Sequence, residues 1–212
     1  MDILNLLKSR RSVRIYKDLP VPKDLLLQIL EAGRWAPTGA NLQPWHFIIV
    51  TAQETRKRIG EVAKFFFIKS SHVERAPVVL VLGFDKRKGK YGRYDVTLAG
   101  GNMITMATSI GLGTCWIGAF DEQRVKEILH IPEHIEVIGL ITLGYPEEKP
   151  EPPPRLELEK IVHWESWLNV KKQTIRDGMV RSGPFTLIKK IFRKGAKGKG
   201  FKGSSENFKN IA

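Results

Sequence analysis

Within five residues the chain sets Arg10, Arg11, Ser12 and Arg14 around a single valine. Guanidinium groups are planar, bidentate donors and a serine hydroxyl adds one more, so this run has the chemistry to clamp a phosphate dianion. A second run, Pro37-Thr38-Gly39-Ala40-Asn41-Leu42-Gln43-Pro44-Trp45, joins small residues to two amides. Asn41 and Gln43 each carry a donor and an acceptor on one group, which suits the mixed polar edge of a flat heterocycle. Gly39 removes a Cβ where a backbone turns sharply or approaches a ligand. Together the runs point to a phosphorylated aromatic cofactor. Each also has a plain structural reading: arginines at a helix end meet the negative pole of the dipole, and 37–41 is then the turn between a helix and a buried strand.

The periodicity around the two runs predicts the elements that hold them. Residues 2–7 form a short amphipathic helix with Ile3, Leu6 and Leu7 on one side, so the arginines follow its end. Pro22-Lys23-Asp24 opens a stronger helix in which Leu25, Leu26, Ile29 and Leu30 share a face, with Gly33 and Pro37 marking its end. The run 46–50 is a buried strand, 53–64 returns to helical spacing, and 78–84 is a second buried strand introduced by Pro77. Phe65 to Ile68 reads as a helix end on the core or part of a substrate lip. The charged stretch 85–94 reads as a lid attracting an anionic dinucleotide or acceptor, or as a solvated loop. Residues 97–110 mix Ala99, Gly100, Gly101 and Ala107 with Met103, Ile104 and Met106, which predicts a helix buried on several sides and ended by Gly111 and Gly113. A strand at 114–120, a surface helix from Asp121 to Leu129 and a last strand at 137–143 complete the pattern.

The overall charge is +13, from 35 Lys and Arg against 22 Asp and Glu. It is uneven. Residues 169–212 hold twelve basic and two acidic side chains, +10, which leaves the first 168 with 23 basic and 20 acidic, +3. In the tail, Phe185, Leu187, Ile188, Ile191 and Phe192 alternate with Lys189, Lys190, Arg193 and Lys194, the pattern of a short basic amphipathic helix before a Gly- and Lys-rich end. Cys115 is the only cysteine, so no intrachain disulfide forms and no thiol-based metal site is built within one chain. Its apolar strand context marks it as a small hydrophobe. His130 and His134 have helical metal-ligand spacing, but Pro132 breaks that geometry, and no metal is expected. No Ser, His and Asp set is placed by spacing. Asp2 and Asn5 interrupt any signal peptide and no apolar run approaches about 18 residues, so a soluble, cytoplasmic protein is expected.

Four motifs in order, Ser9-Arg10-Arg11-Ser12-Val13-Arg14, Trp35-Ala36-Pro37-Thr38-Gly39-Ala40-Asn41-Leu42-Gln43-Pro44-Trp45, Gly111-Leu112-Gly113-Thr114-Cys115-Trp116-Ile117-Gly118, and Gly144-Tyr145-Pro146 leading through prolines to Arg155 and Ile161-Val162-His163-Trp164, closely resemble the nitroreductase family of FMN-dependent oxidoreductases. The resemblance covers about residues 1–168 and implies two parts, an FMN-binding domain at 1–168 and a basic C-terminal extension at 169–212. It implies an α+β fold, a central mostly antiparallel sheet flanked by helices, and a homodimer with FMN at the subunit interface and the helix 97–110 in the dimer core. By resemblance, Arg10 and Ser12 with Arg155 hold the phosphate, Arg11 is counted beside them, and Arg14 serves the ribityl and pyrimidine side. Asn41 and Gln43 are edge contacts, and the loop part Pro37, Thr38 and Gly39 often comes from the second subunit. The backbone at Ile117 and Gly118 supplies the donor facing the flavin N5. Family members often add an asparagine and a lysine after the second helix; here only Lys69 matches.

The implied reaction passes hydride from NADH or NADPH through FMN to a nitroaromatic, quinone or related small-molecule acceptor, ping-pong. The same scaffold also hosts reductive dehalogenation and flavin cleavage. For the tail, wrapping of the partner subunit ranks ahead of contact with nucleic acid or an anionic membrane, and of no function. The rival from another class is a basic nucleic-acid- or membrane-binding module acting through that tail.

Overall fold

A computed structural model describes residues 2–65 and 68–167. Two units divide the chain, Met1–Glu151 and Pro152–Ala212. The expected extension 169–212, with its amphipathic stretch, lies outside the described residues.

In the first unit the elements run α1 (Ile3–Ser9), α2 (Lys23–Arg34), β1 (Trp45–Val50), α3 (Gln53–Val62), β2 (Lys64–Phe65), β3 (Ile68–Lys69), α4 (His72–Arg75), β4 (Val78–Asp85), α5 (Gly92–Ser109), β5 (Gly113–Ile117), α6 (Glu122–Leu129) and β6 (Ile135–Gly144). Four strands form one sheet in the order β1-β4-β6-β5, every pair antiparallel. β4 is central and buried along its whole length. Because side chains alternate across a strand, Val78, Leu80, Leu82 and Phe84 meet Leu26 and Ile29 of α2 and Val96 and Met103 of α5. Val79 and Val81 point the other way, into a second core with Ile59 of α3, Val73 of α4 and Val125 of α6. The result is α+β with helices on both faces of the sheet, each face a separate apolar layer. No described helix is long and apolar enough to cross a membrane.

α2 ends at Arg34, between Gly33 and Pro37, and a Cβ on Gly33 would collide with Met103 of α5, so this glycine also permits close helix packing. Three other expectations change. α5 begins at Gly92, five residues earlier than its apolar pattern, and is not buried all round, since Tyr94 and Leu98 are 66% and 49% exposed. Its start was hidden because Arg93 and Tyr94 lie on the outer face and look like loop residues. The stretch 86–94 is therefore a 3-10 turn, Lys86–Lys88, followed by helix, with Arg87 paired to Asp85 at 2.7 Å and Arg93 paired to Glu136. Lys64–Phe65 and Ile68–Lys69 pair as two short antiparallel strands, so Phe65 and Ile68 do not belong to a helix end.

In the second unit a 3-10 turn spans Leu158–Lys160, and the His163 ring lies 4.0 Å from that of Trp167.

Candidate functional site

α1 ends at Ser9, whose hydroxyl donates to the Leu6 carbonyl at 2.8 Å, and Arg10 leaves the helix with ψ 135°. The chain then runs beside the edge strand β5: Ser12 bridges Thr114 in parallel, and the Val13 N–H donates to the Thr114 carbonyl at 2.9 Å. Two buried residues pin it. Val13 fills the space where a Cβ on Gly113 would be, and Tyr16 donates its hydroxyl to the Val13 carbonyl at 2.6 Å while sharing a 2.8 Å bond with Thr142. Burial pushes the Tyr16 phenol well above its usual range, so it stays a neutral donor.

In an extended segment alternate residues share a side, which places Arg10, Ser12 and Arg14 together and Arg11 opposite. The Arg11 guanidinium is taken up by backbone: Nε donates to Pro150 O at 3.0 Å and Nη1 to the Lys8 and Arg10 carbonyls at 2.7 and 2.8 Å. Arg10, Ser12 and Arg14 all act electrostatically on Cys115, the residue after Thr114 on β5, and Arg14 Nη1 also donates to the Ser12 carbonyl at 3.3 Å. Burial pushes that thiol up, while Arg14, Arg10 and a hydrogen bond with Ser12 pull it down and Glu148 opposes them. Ion pairs among the described residues join other side chains, none of them the Arg10 or Arg14 guanidinium. Glu148 instead accepts from the Arg14 and Ile15 N–H groups at 2.6 and 3.1 Å. Two guanidinium groups without a carboxylate partner among the described residues and a neighbouring hydroxyl are a donor set that fits the phosphate of FMN.

The second run is a strained loop. After Trp35, Thr38 is extended, Gly39–Asn41 make a 3-10 turn, and three non-glycine residues have positive φ: Ala40 at 49°, Asn41 at 55° and Gln43 at 46°. Such backbone costs about 1–2 kcal/mol per residue, less for asparagine. Within the chain nothing demands glycine at Gly39, because its φ is ordinary and a Cβ there would meet nothing within 4 Å. What holds the loop is polar. The Thr38 hydroxyl donates to Asp95 Oδ2 at 2.8 Å and accepts from the Gln43 N–H at 3.1 Å, while Lys88 Nζ reaches the Gln43 carbonyl at 3.3 Å. The Gln43 amide donates to Asn41 Oδ1 at 3.1 Å, and both side chains are exposed.

Ile117 ends β5 and is buried; Gly118 follows it and is exposed. A Cβ on Gly118 would make only ordinary contact, 3.6 Å from Trp116 Nε1, so nothing within the chain demands glycine there. Arg155 is exposed in the second unit.

The sheet register separates the two runs. Trp45, next to the loop, pairs with Phe84, which pairs with Glu136; Thr114, next to Ser12, pairs with Leu143. At about 3.4 Å per residue and about 4.8 Å per strand, the loop and the basic segment stand about 24 Å apart along the strands and about 19 Å across them. They occupy diagonal corners. One chain therefore does not bring both runs onto one mononucleotide.

Sequence reasoning missed Asp95, Glu148 and His72. Asp95 left a faint trace as an acidic residue in the first turn of a helix whose neighbours are apolar. Nothing in the sequence marked Glu148. His72 Nε2 is buried without a hydrogen-bond partner, and burial, with Arg14 adding to it and Glu148 opposing, lowers its pKa to about 4.

Known proteins resemble this chain in sequence and in fold. The chain is 33% identical over 194 residues to an NADH dehydrogenase of Thermus thermophilus, covering 74% of this chain and 92% of that one. It is 30% identical over 196 residues to an FMN reductase [NAD(P)H] of Bacillus subtilis, covering 82% and 77%. The structure of an FMN-dependent nitroreductase from Clostridium difficile superposes with a TM-score of 0.72 at 28% identity, over 77% of this chain and 99% of the other. Residues 7–145 match the profile described as the nitroreductase family. With that match across most of the first unit, the chain belongs to the nitroreductase family.

Proposed function

We infer that the chain is an FMN-dependent NAD(P)H oxidoreductase. Family membership supports this, together with relatives named for FMN reduction by NAD(P)H and for FMN dependence. The observation that carries it is the extended 10–14 segment beside β5, whose alternation puts Arg10, Ser12 and Arg14 on one side, with neither guanidinium ion-paired to a carboxylate among the described residues. When bound, FMN supplies the two-electron chemistry, accepting hydride from NAD(P)H and delivering it to an acceptor.

The protein's part is to bind, orient and tune. Arg10 and Ser12 hold the phosphate, with Arg11 steadying the segment through its carbonyl contacts. Arg14 lies on the ribityl and pyrimidine side, where a fixed positive charge favours the reduced, anionic ring. The Ile117 and Gly118 backbone offers a donor to the ring, and the missing side chain of Gly118 leaves room for it.

The diagonal separation favours a homodimer in which the 37–43 loop of a second copy completes each site, with Asn41 and Gln43 on the ring edge. Exposed Ile3, Leu4 and Leu7 on α1, with Tyr94 and Leu98 on α5, are apolar surface that such a copy would cover. Reductant and acceptor then use one open face in turn, which is the ping-pong scheme, and the acceptor is a nitroaromatic, a quinone or a related compound.

The test is direct. Purified protein should be yellow, or become so with FMN, and the colour should bleach anaerobically with NADH or NADPH and return on adding acceptor. A colourless protein that takes up no FMN would overturn the reading. An anaerobic panel of nitroaromatics, quinones and halogenated phenols with both nicotinamides then ranks acceptors.

A further inference from the structure

The 38–43 loop keeps a conformation its own residues disfavour. Ala40, Asn41 and Gln43 hold φ values of 49°, 55° and 46°, and no glycine occupies any of the three positions. Isolated peptide of this composition would relax toward ordinary backbone, so something outside the loop must fix it. One chain of bonds does so from the core. Asp95, 7% exposed in the first turn of α5, accepts from the Thr38 hydroxyl at 2.8 Å, and that same oxygen accepts from the Gln43 N–H at 3.1 Å. Thr38 has one hydroxyl proton. Directing it to Asp95 leaves the oxygen lone pairs aimed at Gln43, so the carboxylate sets the orientation of the hydroxyl and the hydroxyl sets the far end of the loop.

We propose that Asp95 is a positioning residue that, acting through Thr38, holds the 38–43 loop in the left-handed geometry that presents Asn41 and Gln43. It touches no reacting atom. The consequence for flavin rests on the reading of these amides as edge contacts; the consequence for the loop does not.

The experiment therefore reads both. Amide hydrogen exchange at Gln43 is followed in FMN-free protein, and FMN affinity and the visible flavin spectrum are followed by titration. The full-length variants are Asp95→Ala, Asp95→Asn, Thr38→Val and Thr38→Ser. Loss of one partly buried hydrogen bond corresponds to about tenfold. Asp95→Ala and Thr38→Val should each speed Gln43 exchange and weaken FMN by about that factor, with a shifted flavin spectrum. Asp95→Asn keeps an acceptor and Thr38→Ser keeps the hydroxyl, so in both the Gln43 exchange of FMN-free protein should stay within about threefold of the parent chain. The double change Asp95→Ala with Thr38→Val should be no worse than either alone, because both cut one relay.

Unchanged Gln43 exchange in a folded Asp95→Ala chain, an Asp95→Asn chain as damaged as Asp95→Ala, or additive singles would each overturn the proposal. Should Asp95→Ala fail to fold, Thr38→Val against Thr38→Ser carries the same comparison. A parent chain that binds no FMN but whose Gln43 exchange responds as described keeps the positioning role and removes only the flavin reading.

Discussion

At the scale of single residues, alternation along one extended segment assigns different work to neighbouring arginines. Arg11 is committed to three carbonyls, while Arg10 and Arg14 face the other way with Ser12. Arg14→Ala should weaken FMN binding by about 1.5–3 kcal/mol, roughly ten- to hundredfold, or lower the flavin potential; fluorescence titration and spectroelectrochemistry measure the two. His72 gives a pH signature. Its folded pKa of about 4 lies below the usual 6.5, so the unfolded chain binds the extra proton. Its stability contribution is complete above about pH 6.5 and is lost as pH falls toward 4. A series of urea midpoints between those values should slope downward with acid, and His72→Phe should flatten it. Residue types were legible in the sequence here, and their partners were not. Glu148 lies more than a hundred positions from the N–H groups it caps, and Asp95 is 57 from Thr38, so only the fold reveals either pair.

At the scale of elements, the strands and helices were readable because β1, β4, β5 and β6 are apolar runs without helical spacing, mostly rich in β-branched residues, and α2 repeats on one face. Glycine was read less well. Sequence reasoning treated Gly33 and Gly100 as punctuation or general smallness, whereas each clears space for one particular side chain. Trp116 of β5 is the clearest case, its indole wedged where Cβ atoms on Gly139 of β6 and Gly100 of α5 would sit. Gly139→Ala should cost about 1–3 kcal/mol through overpacking, seen as a lower urea midpoint at unchanged slope. A fall of that kind in Gly101→Ala is not expected, since nothing lies within 4 Å of a Cβ there.

At the scale of the whole molecule, the register of four antiparallel strands matters more than any single contact, because it sets the two runs proposed to bind FMN at diagonal corners. The sequence announced both runs, and their separation is a property of strand order that local patterns do not carry. If the sites are completed across a dimer, mixing an Arg10→Ala, Arg14→Ala chain with an Asn41→Ala, Gln43→Ala chain should restore FMN binding. Random exchange makes about half the dimers mixed, each with one intact site, so about a quarter of all sites recover. No recovery after verified subunit exchange would mean that each chain builds its site alone. The lone thiol offers a further handle on this assembly. Cys115 is covered, and its burial favours the protonated, unreactive form, so an alkylating reagent meets it only while the β5 margin swings open. The rate of single labelling is thus a stopwatch for that motion, and one that a molecule seated against Arg10 and Ser12 should slow.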